Sequence, residues 1–374
     1  MNSWNVKSMD YFISACLIAV MAWALPAFAD EPEDMLTTGP IAKDVAVSND
    51  GTQLAFAYEN AGSSAIWVSD RNGKNAHKLL DWPGSDQVSP DWSPDGQSIV
   101  FSSNKNSSGY DIWVVNVSSL GATQLTSNSG SNEKPRYSPD GSKVLFTSNR
   151  TGKREIWYMN ADGTGQKAVG LQSLIVDDPA WSPDGTEVVF SGCTLPESGS
   201  SLSDGHCNLF VIALDASTAR QVTFGNAQDW EPDWGAGGIV FSSSRSDYNL
   251  MVVDPAGNNL HQVTDKNELC SHPRWNPSTG EVLFQDSDGA INKSTLAGSV
   301  TSVVDAGHLS TAKKGDLNYD GCVDRSDYDL LMNAVRGMGV KMPAYDLNAD
   351  GVVNRADART LVGLFSNPRG EPCQ

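Results

Sequence analysis

The sequence predicts an all-β fold of six propeller blades followed by a small helical domain, and three observations support that prediction. One phrase recurs six times through the middle of the 374-residue chain. An acidic loop then occurs twice near the C-terminus, as GDLNYDGCVDRSD and YDLNADGVVNRAD. A chain of this length exceeds the usual size of one domain, so a large unit with a smaller one attached is expected.

The N-terminal segment, residues 1–29, is typical of an export signal. Lys7 precedes an apolar run from about Ile13 to Leu25, and Ala27-Phe28-Ala29 has the small-x-small pattern of a cleavage site. We expect cleavage near Ala29 and a mature protein that is secreted or periplasmic. No later segment approaches the roughly 18 to 20 apolar residues of a membrane span.

Composition narrows the classes of partner. The net charge is −19 and the sequence pI is near 4.5, with no basic patch. Binding to phosphate groups needs clustered Lys and Arg, so nucleic acid is not an expected partner. The 34 Gly and 18 Pro indicate many turns between short elements.

Five cysteines follow the export signal, and export makes disulfides permissible. Cys193 and Cys207 flank a Gly- and Ser-rich insertion, and we expect them to bridge its base. Cys322 and Cys373 bracket the acidic unit and could tie its ends together. Cys270 is left over and is interpreted as a buried structural thiol.

The repeated phrase predicts the blades. Its strongest copies are PDWSPDGQSIVFSS, PRYSPDGSKVLFTS and PAWSPDGTEVVFSG, at residues 90–103, 135–148 and 179–192. Each predicts a hairpin around a Pro-Asp-Gly turn, and a third strand with a Trp follows, as in DIWVVN. The anchoring phenylalanines recur every 43 to 51 residues, at Phe56, Phe101, Phe146, Phe190, Phe241 and Phe284. Four strands in such a length match a propeller blade.

These SPDG-type repeats resemble those of TolB-like six-bladed β-propellers, over residues 40–305. In that architecture the repeated phenylalanines are expected to form the core between blades. The residue before the repeat's Pro marks an equivalent place in each blade. These residues are Asp44, Ser89, Lys134, Asp178, Glu231 and His272. We expect them to surround one mouth of an apolar-walled channel, as a ring that binds a peptide end, a sugar or an ion. The alternative interpretation is a set of solvated turn residues.

The two acidic loops have the ligand spacing of calcium sites. Calcium takes six to eight oxygens, from side chains on alternate loop positions, a backbone carbonyl at position 7 and a carboxylate at position 12. The first predicted ligand set is Asp316, Asn318, Asp320, Cys322 (carbonyl), Asp324 and Asp327. The second is Asp346, Asn348, Asp350, Val352 (carbonyl), Asn354 and Asp357. Gly321 and Gly351 supply the sharp turn at position 6.

Each acidic loop leads into an amphipathic helix, and no helical pattern precedes it. The apolar positions are Tyr328, Leu330, Leu331 and Val335 after the first loop, and Ala358, Leu361, Val362 and Phe365 after the second. This arrangement, with Asp at position 12, resembles the type I dockerin family. We therefore predict a connector at 306–314 and a dockerin-like domain at 315–374. The resemblance implies a cohesin-type partner, with Arg325, Ser326, Arg355 and Ala356 at the recognition positions.

Motifs for catalysis are missing from the sequence. Neither G-x-S-x-G nor H-E-x-x-H occurs, and only His272 is expected at the channel mouth, since His77 and His261 fall in outer strands. We predict a noncatalytic, secreted binding protein. The main alternative is a dockerin-bearing carbohydrate-active enzyme, a polysaccharide lyase or hydrolase acting in polysaccharide breakdown. In a third interpretation the calcium domain only stabilises the chain and has no partner.

Overall fold

The computed structural model describes two parts of the chain. One is residues 41–304 without 61–62, 128–129, 172–174, 194–205, 247, 266–268, 288, 297 and 299. The other comprises residues 323, 328, 331, 332, 335, 347, 355–362 and 364. The predicted export signal (1–29) and connector (306–314) lie outside these residues. No described helix is long and apolar enough to cross a membrane.

Residues 41–304 form six antiparallel sheets of four strands, which confirms the predicted six-bladed propeller. Blades 1 to 3 are β1 (Ile41–Val47), β2 (Gln53–Asn60), β3 (Ser63–Asp70), β4 (His77–Leu80); β5 (Gln87–Trp92), β6 (Ser98–Ser103), β7 (Asp111–Asn116), β8 (Ala122–Gln124); β9 (Asn132–Tyr137), β10 (Lys143–Ser148), β11 (Glu155–Asn160), β12 (Lys167–Ala168). Blades 4 to 6 are β13 (Ile175–Trp181), β14 (Glu187–Cys193), β15 (Cys207–Ala213), β16 (Arg220–Gln221); β17 (Asp229–Gly235), β18 (Gly238–Ser243), β19 (Asn249–Val253), β20 (His261–Gln262); β21 (Cys270–Trp275), β22 (Val282–Asp286), β23 (Ile291–Ser294), β24 (Val300–Val304).

The first hairpin of each blade forms as its turn chemistry predicts. In blade 2, the Ser93 hydroxyl donates to the Asp95 carboxylate at 2.6 Å, and the Gly96 amide donates to the Ser93 carbonyl at 2.8 Å. Gly96 has a φ of 68°, which a residue with a side chain adopts only with strain. The Gln97 amide donates to the Asp95 carboxylate at 3.0 Å and the Ser98 amide to the Ser93 hydroxyl at 2.9 Å. Such bonds between side chains and backbone fix the turn and therefore the strand register.

The six repeated phenylalanines form the core, as predicted. They are the largest fully buried side chains of the described residues: Phe56, Phe101, Phe146, Phe190, Phe241 and Phe284. Each lies on the second strand of its blade. Full burial of such a side chain stabilises the fold by about 1.5–3 kcal/mol relative to leaving it exposed.

At four of the six junctions, a glycine in the turn between the third and fourth strands of one blade approaches a backbone carbonyl of the preceding blade. A Cβ atom added to Gly163 of blade 3 would lie 3.0 Å from the Leu125 carbonyl oxygen of blade 2. Gly73 of blade 1 makes the same approach to blade 6, where an added Cβ would lie 1.9 Å from the Val303 carbonyl oxygen. The seam, which is the junction between blades 6 and 1, therefore repeats a contact found at three other junctions.

The seam closes without a shared strand among the described residues, because each sheet contains four consecutive strands. The Ala42 amide donates to the Gly289 carbonyl across the seam at 3.0 Å. Leu283 and Ile291 of blade 6 pack with Phe56 of blade 1 in one buried cluster. Apolar packing and a few hydrogen bonds thus complete the ring.

Among the described C-terminal residues, Arg355–Val362 form helix α1, and Tyr328, Leu331, Met332 and Val335 are also helical. A small apolar core is formed by Val323, Leu331, Met332, Leu347, Ala358 and Leu361. The prediction that Val362 lies on the apolar face is wrong, since its side chain is 50% exposed. Val362 directly follows the buried Leu361, so the helical rotation of about 100° per residue carries it to the solvent side.

Candidate functional site

The first strand of each blade, called the inner strand, carries a β-bulge at the same place in all six blades. The pairing of each first strand with its second strand shifts register there. One residue in each bulge has a φ between 49° and 56°, namely Asp44, Ser89, Lys134, Asp178, Glu231 and His272. Residues with side chains rarely hold this conformation, and such strain concentrates at binding and catalytic sites. The backbone thus marks the same six residues that the repeat marks in the sequence.

The structure brings these six residues, called the mouth ring, together. His272 Nε2 lies 3.3 Å from Asp44 Oδ1 and 3.2 Å from Glu231 Oε1. The Ser89 amide donates to Asp44 Oδ2 at 3.0 Å. Lys134 Nζ lies 2.5 Å from Asp178 Oδ1. Contacts between side chains of different blades therefore connect most of the ring.

The mouth ring is largely buried, so the interpretation as solvated turn residues is wrong. The exposed fractions of its ion-paired side chains lie between 15% and 29%. Its residues are in strands, where the bulge turns them toward the channel. Burial strengthens their mutual electrostatic interactions, since less water screens them.

Burial and neighbouring charges perturb the ring's ionisation. Burial alone would raise the pKa of Asp44, but the charges of His272 and Lys43 and the Ser89 amide outweigh it, so its pKa is lowered. Burial, followed by the charge of Asp177, raises the pKa of Asp178. Burial lowers the pKa of Lys134 less than Asp177 and Asp178 raise it, so Lys134 stays protonated. The ring therefore presents one permanent cation beside carboxylates of unequal acidity.

A second tier of channel residues lies two positions further along each inner strand. Its members are Ala46, Asp91, Arg136, Ala180, Asp233 and Arg274. Arg136 bridges the channel, with ion pairs of 3.3 Å to Asp91 and 3.2 Å to Asp233. The expectation of an apolar-walled channel is therefore wrong. The signal for this tier was available in the sequence, because the order Ala-Asp-Arg occurs twice at this offset.

A small pocket opens between the two tiers. It is lined by Asp44, Ser89, Lys134, Asp178, His272, Arg136, Arg274 and the prolines Pro90, Pro135, Pro179 and Pro232. About 20 Å³ is open to the centres of water-sized molecules. Since a single water needs roughly 10–15 Å³ by this measure, only one or two waters or a comparable polar group fit inside. A whole sugar ring would have to remain at the mouth.

The insertion in blade 4 starts beside the mouth ring. Cys193 and Cys207 form a disulfide at the ends of β14 and β15, where the sequence predicted one. Cys193 pairs in register with Ile175, two residues before Asp177 of the same inner strand. Residues 194–205 lie outside the described residues. Cys270 is buried and forms no disulfide, in agreement with its predicted structural role.

Of the twelve predicted calcium ligands, only Asp357 lies among the described residues. It is in the first turn of α1 and is fully buried. A buried carboxylate at loop position 12 fits the predicted donor set of Asp, Asn and carbonyl oxygens, which suits calcium. Arg355 is exposed and Ala356 is half-buried. Arg325, Ser326, Cys322 and Cys373 lie outside the described residues.

Fold and site together define a propeller protein with a charged channel mouth and an appended domain with calcium-loop sequences. Two family models match the chain, namely the TolB beta propeller domain at residues 45–195 and the dockerin type I domain at residues 314–363. The chain therefore combines a TolB-type propeller with a C-terminal type I dockerin domain.

Solved structures agree with the propeller fold. A TolB protein from Agrobacterium tumefaciens is 19% identical, with a TM-score of 0.52 over 61% of this chain and 84% of its own. The β-propeller domain of the Trilobed protease from Pyrococcus furiosus is 12% identical, with a TM-score of 0.52 over 75% and 100%. The tricorn protease is 13% identical, with a TM-score of 0.55 over 71% and 26%. Identities this low show the fold alone.

One curated relative is more similar over a short stretch. The long isoform of ulvan lyase from Glaciecola sp. (strain KUL10) is 42% identical over 55 residues. The match covers 15% of this chain and 6% of the lyase. The chain thus spans a small fraction of that relative's length.

Proposed function

We propose that this is a secreted, noncatalytic binding protein whose mouth ring holds a ligand and whose dockerin domain attaches it to a partner. The dockerin domain implies a cohesin-type partner. The observation that supports the binding site is the set of six bulged residues at positive φ, five of which line one pocket. Glycans, peptides and proteins are the ligand classes whose polar groups suit such a ring.

The state of His272 favours binding over catalysis. A general base needs a free lone pair within reach of the substrate. Nε2 of His272 lies between two carboxylates, and its Nδ1 atom is buried without a partner. Lys134 is likewise held by Asp177 and Asp178. Among the described residues, no three His, Cys, Asp or Glu side chains form a metal-binding cluster.

Glycan and peptide arrays test the ligand site. A ligand of the wild type should bind several-fold more weakly to Lys134→Ala and Asp178→Ala, because each substitution removes a charged group that faces the ligand at the pocket. Lys167→Ala is the matched control, since Lys167 lies on the outermost strand of the same blade as Lys134. Equal binding by all these variants would place the ligand elsewhere.

The second candidate function is polysaccharide cleavage, and the similarity to an ulvan lyase favours it. A lyase would release unsaturated sugars, which absorb ultraviolet light, and His272→Ala would abolish that release while ligand still bound. Turnover by the wild-type protein would overturn the noncatalytic proposal. Absence of turnover on every polysaccharide that binds would support it.

The dockerin domain should act only when calcium fills both loops. Dockerins typically bind calcium, and the predicted ligands of the two loops would supply the oxygens. Arg325, Ser326, Arg355 and Ala356 are the proposed partner-binding residues. A pull-down from the secreted proteins of the source organism, with calcium or with chelator, should recover a cohesin-bearing protein only with calcium. Recovery of no such protein in either condition would favour a purely stabilising role.

A further inference from the structure

The second tier has an approximate two-fold repeat that its contacts do not follow. Blades 1 to 3 and blades 4 to 6 each contribute Ala, Asp and Arg in that order, so two aspartates could pair with two arginines. Arg136 instead forms ion pairs with both carboxylates, with Asp91 at 3.3 Å and with Asp233 at 3.2 Å. The outer oxygens of these carboxylates accept the Tyr137 and Trp275 amides, each at 2.8 Å. Both aspartates are therefore fully engaged.

Arg274 is consequently left without a counter-ion. Its Nη1 atom donates to the Pro273 carbonyl at 2.8 Å, while Nε is buried without a partner. Within the described residues, no carboxylate forms an ion pair with it. A guanidinium does not lose its proton in proteins, and a buried charge without a partner is costly. The neighbouring charge of Arg136 repels it, while Asp233, Asp91 and Asp44 attract it without forming an ion pair.

Arg274 also lines the pocket between the tiers. A group that enters the pocket therefore meets a cation that has no direct ion-pair partner among the described residues. The pocket has room for one or two water-sized groups, which suits the two oxygens of a carboxylate, with the rest of the ligand at the mouth. Asp44 and Asp178 line the same pocket, which disfavours anions of higher charge such as phosphate.

We propose that the pocket binds a carboxylate, which forms an ion pair with Arg274 and anchors an acidic ligand such as a uronate-type sugar or a peptide C-terminus. This inference rests on the proposed ligand site at the mouth ring and names the group that enters it. A planar carboxylate matches the planar guanidinium donors better than a spherical anion does. The mouth ring would then contact the remainder of the ligand.

Acetate and acetamide provide the test, because they have the same shape and differ in charge. Sodium chloride is replaced stepwise by sodium acetate at fixed ionic strength, and the arginine side-chain Nε–H signals are followed by NMR. We expect one signal, absent from Arg274→Gln, to shift saturably with acetate, with a dissociation constant on the order of millimolar. Acetamide and phosphate should leave that signal unchanged.

Arg245→Gln is the matched control, since Arg245 is paired with Asp229 outside the pocket. It should retain the acetate response. An acetate response that survives Arg274→Gln, or equal shifts with acetamide, would overturn the proposal, as would the absence of any shift. If Arg274→Gln fails to fold, the comparison of acetate with acetamide on the wild type still decides. Array binding that depends on Lys134 without an acetate response would refute this inference and leave the proposed function intact.

Discussion

Asp44 is the residue of the mouth ring at which three blades meet. Its carboxylate accepts the Ser89 amide of blade 2 and lies 3.3 Å from His272 of blade 6. These contacts, with the charge of Lys43, hold its pKa below the ordinary value in spite of burial. Asp44 is thus a structural link between blades as well as a candidate ligand contact.

The lowered pKa of Asp44 predicts a pH-dependent contribution to stability. The unfolded chain binds a proton at this residue more readily, so the contribution is complete above the unfolded pKa of about 3.9 and is lost as pH falls through the lower folded pKa. At pH 7, Asp44→Asn should lower the free energy of unfolding by about 1–3 kcal/mol. Below about pH 4 the difference from wild type should shrink.

Urea unfolding followed by tryptophan fluorescence between pH 3 and pH 7 measures this difference. Asp215→Asn is the control, since Asp215 is exposed, and it should change stability by less than about 0.5 kcal/mol throughout. If the difference in unfolding free energy between Asp44→Asn and wild type stays constant down to pH 3, the charge of Asp44 is not responsible for it.

The sequence predicted the mouth ring but not the second tier, and the reason is physical. Each ring residue precedes a repeated position, so counting along the repeat finds it. The bulge with positive φ depends on strand pairing, which no local pattern in Asp-Pro or Lys-Pro indicates. The bridge from Arg136 to Asp233 joins residues 97 positions apart, and only the closed ring brings them together.

At the scale of elements, the seam is the junction whose stability the sequence could not predict. The strands and their Pro-Asp-Gly turns follow from alternation and turn chemistry, so they could be predicted. Closure between blades 6 and 1 depends on the fit of Gly73 against Val303, which a sequence pattern does not reveal. The turn glycine has a φ of 76°, so it combines backbone freedom with close approach.

Gly73→Ala should therefore destabilise the propeller more than an equally strained substitution elsewhere. Its new methyl group would meet the Val303 carbonyl of β24, so either β24 or the turn of blade 1 would have to shift at the seam. Gly96→Ala is the matched control, because Gly96 has a similar φ of 68° and open space around it. Positive-φ strain alone costs about 1–2 kcal/mol, and Gly73→Ala should exceed that cost.

Denaturant unfolding gives the two stabilities, and hydrogen exchange locates the change. Faster exchange should appear in β1 and β24 of Gly73→Ala but not of Gly96→Ala. Equal losses of stability in the two variants, with unchanged exchange at blades 1 and 6, would mean that the seam tolerates the methyl group.

At the scale of the whole molecule, the propeller and the dockerin domain depend on different sources of stability. Each blade of the propeller contains one fully buried phenylalanine. The described core of the C-terminal part contains six buried side chains, including Ala358 and Leu361 of α1. A domain as short as the predicted 315–374 usually needs metal ions or disulfides to fold.

Calcium removal should therefore unfold the C-terminal domain and leave the propeller intact. Chelation should reduce the helical circular dichroism signal while the strand signal persists, and isothermal titration should restore two calcium ions per chain. Calcium at one hundred times its dissociation constant would stabilise the domain by about 2.7 kcal/mol for each site.

Asp320→Ala with Asp350→Ala should abolish both binding events, because position 5 of each loop loses its carboxylate. Asp329→Ala removes an acidic side chain that is not at a ligand position, and it should leave both binding events intact. Two calcium ions bound by the double variant would refute the ligand assignment, and a propeller that melts with the chelated domain would show that the two parts do not fold independently.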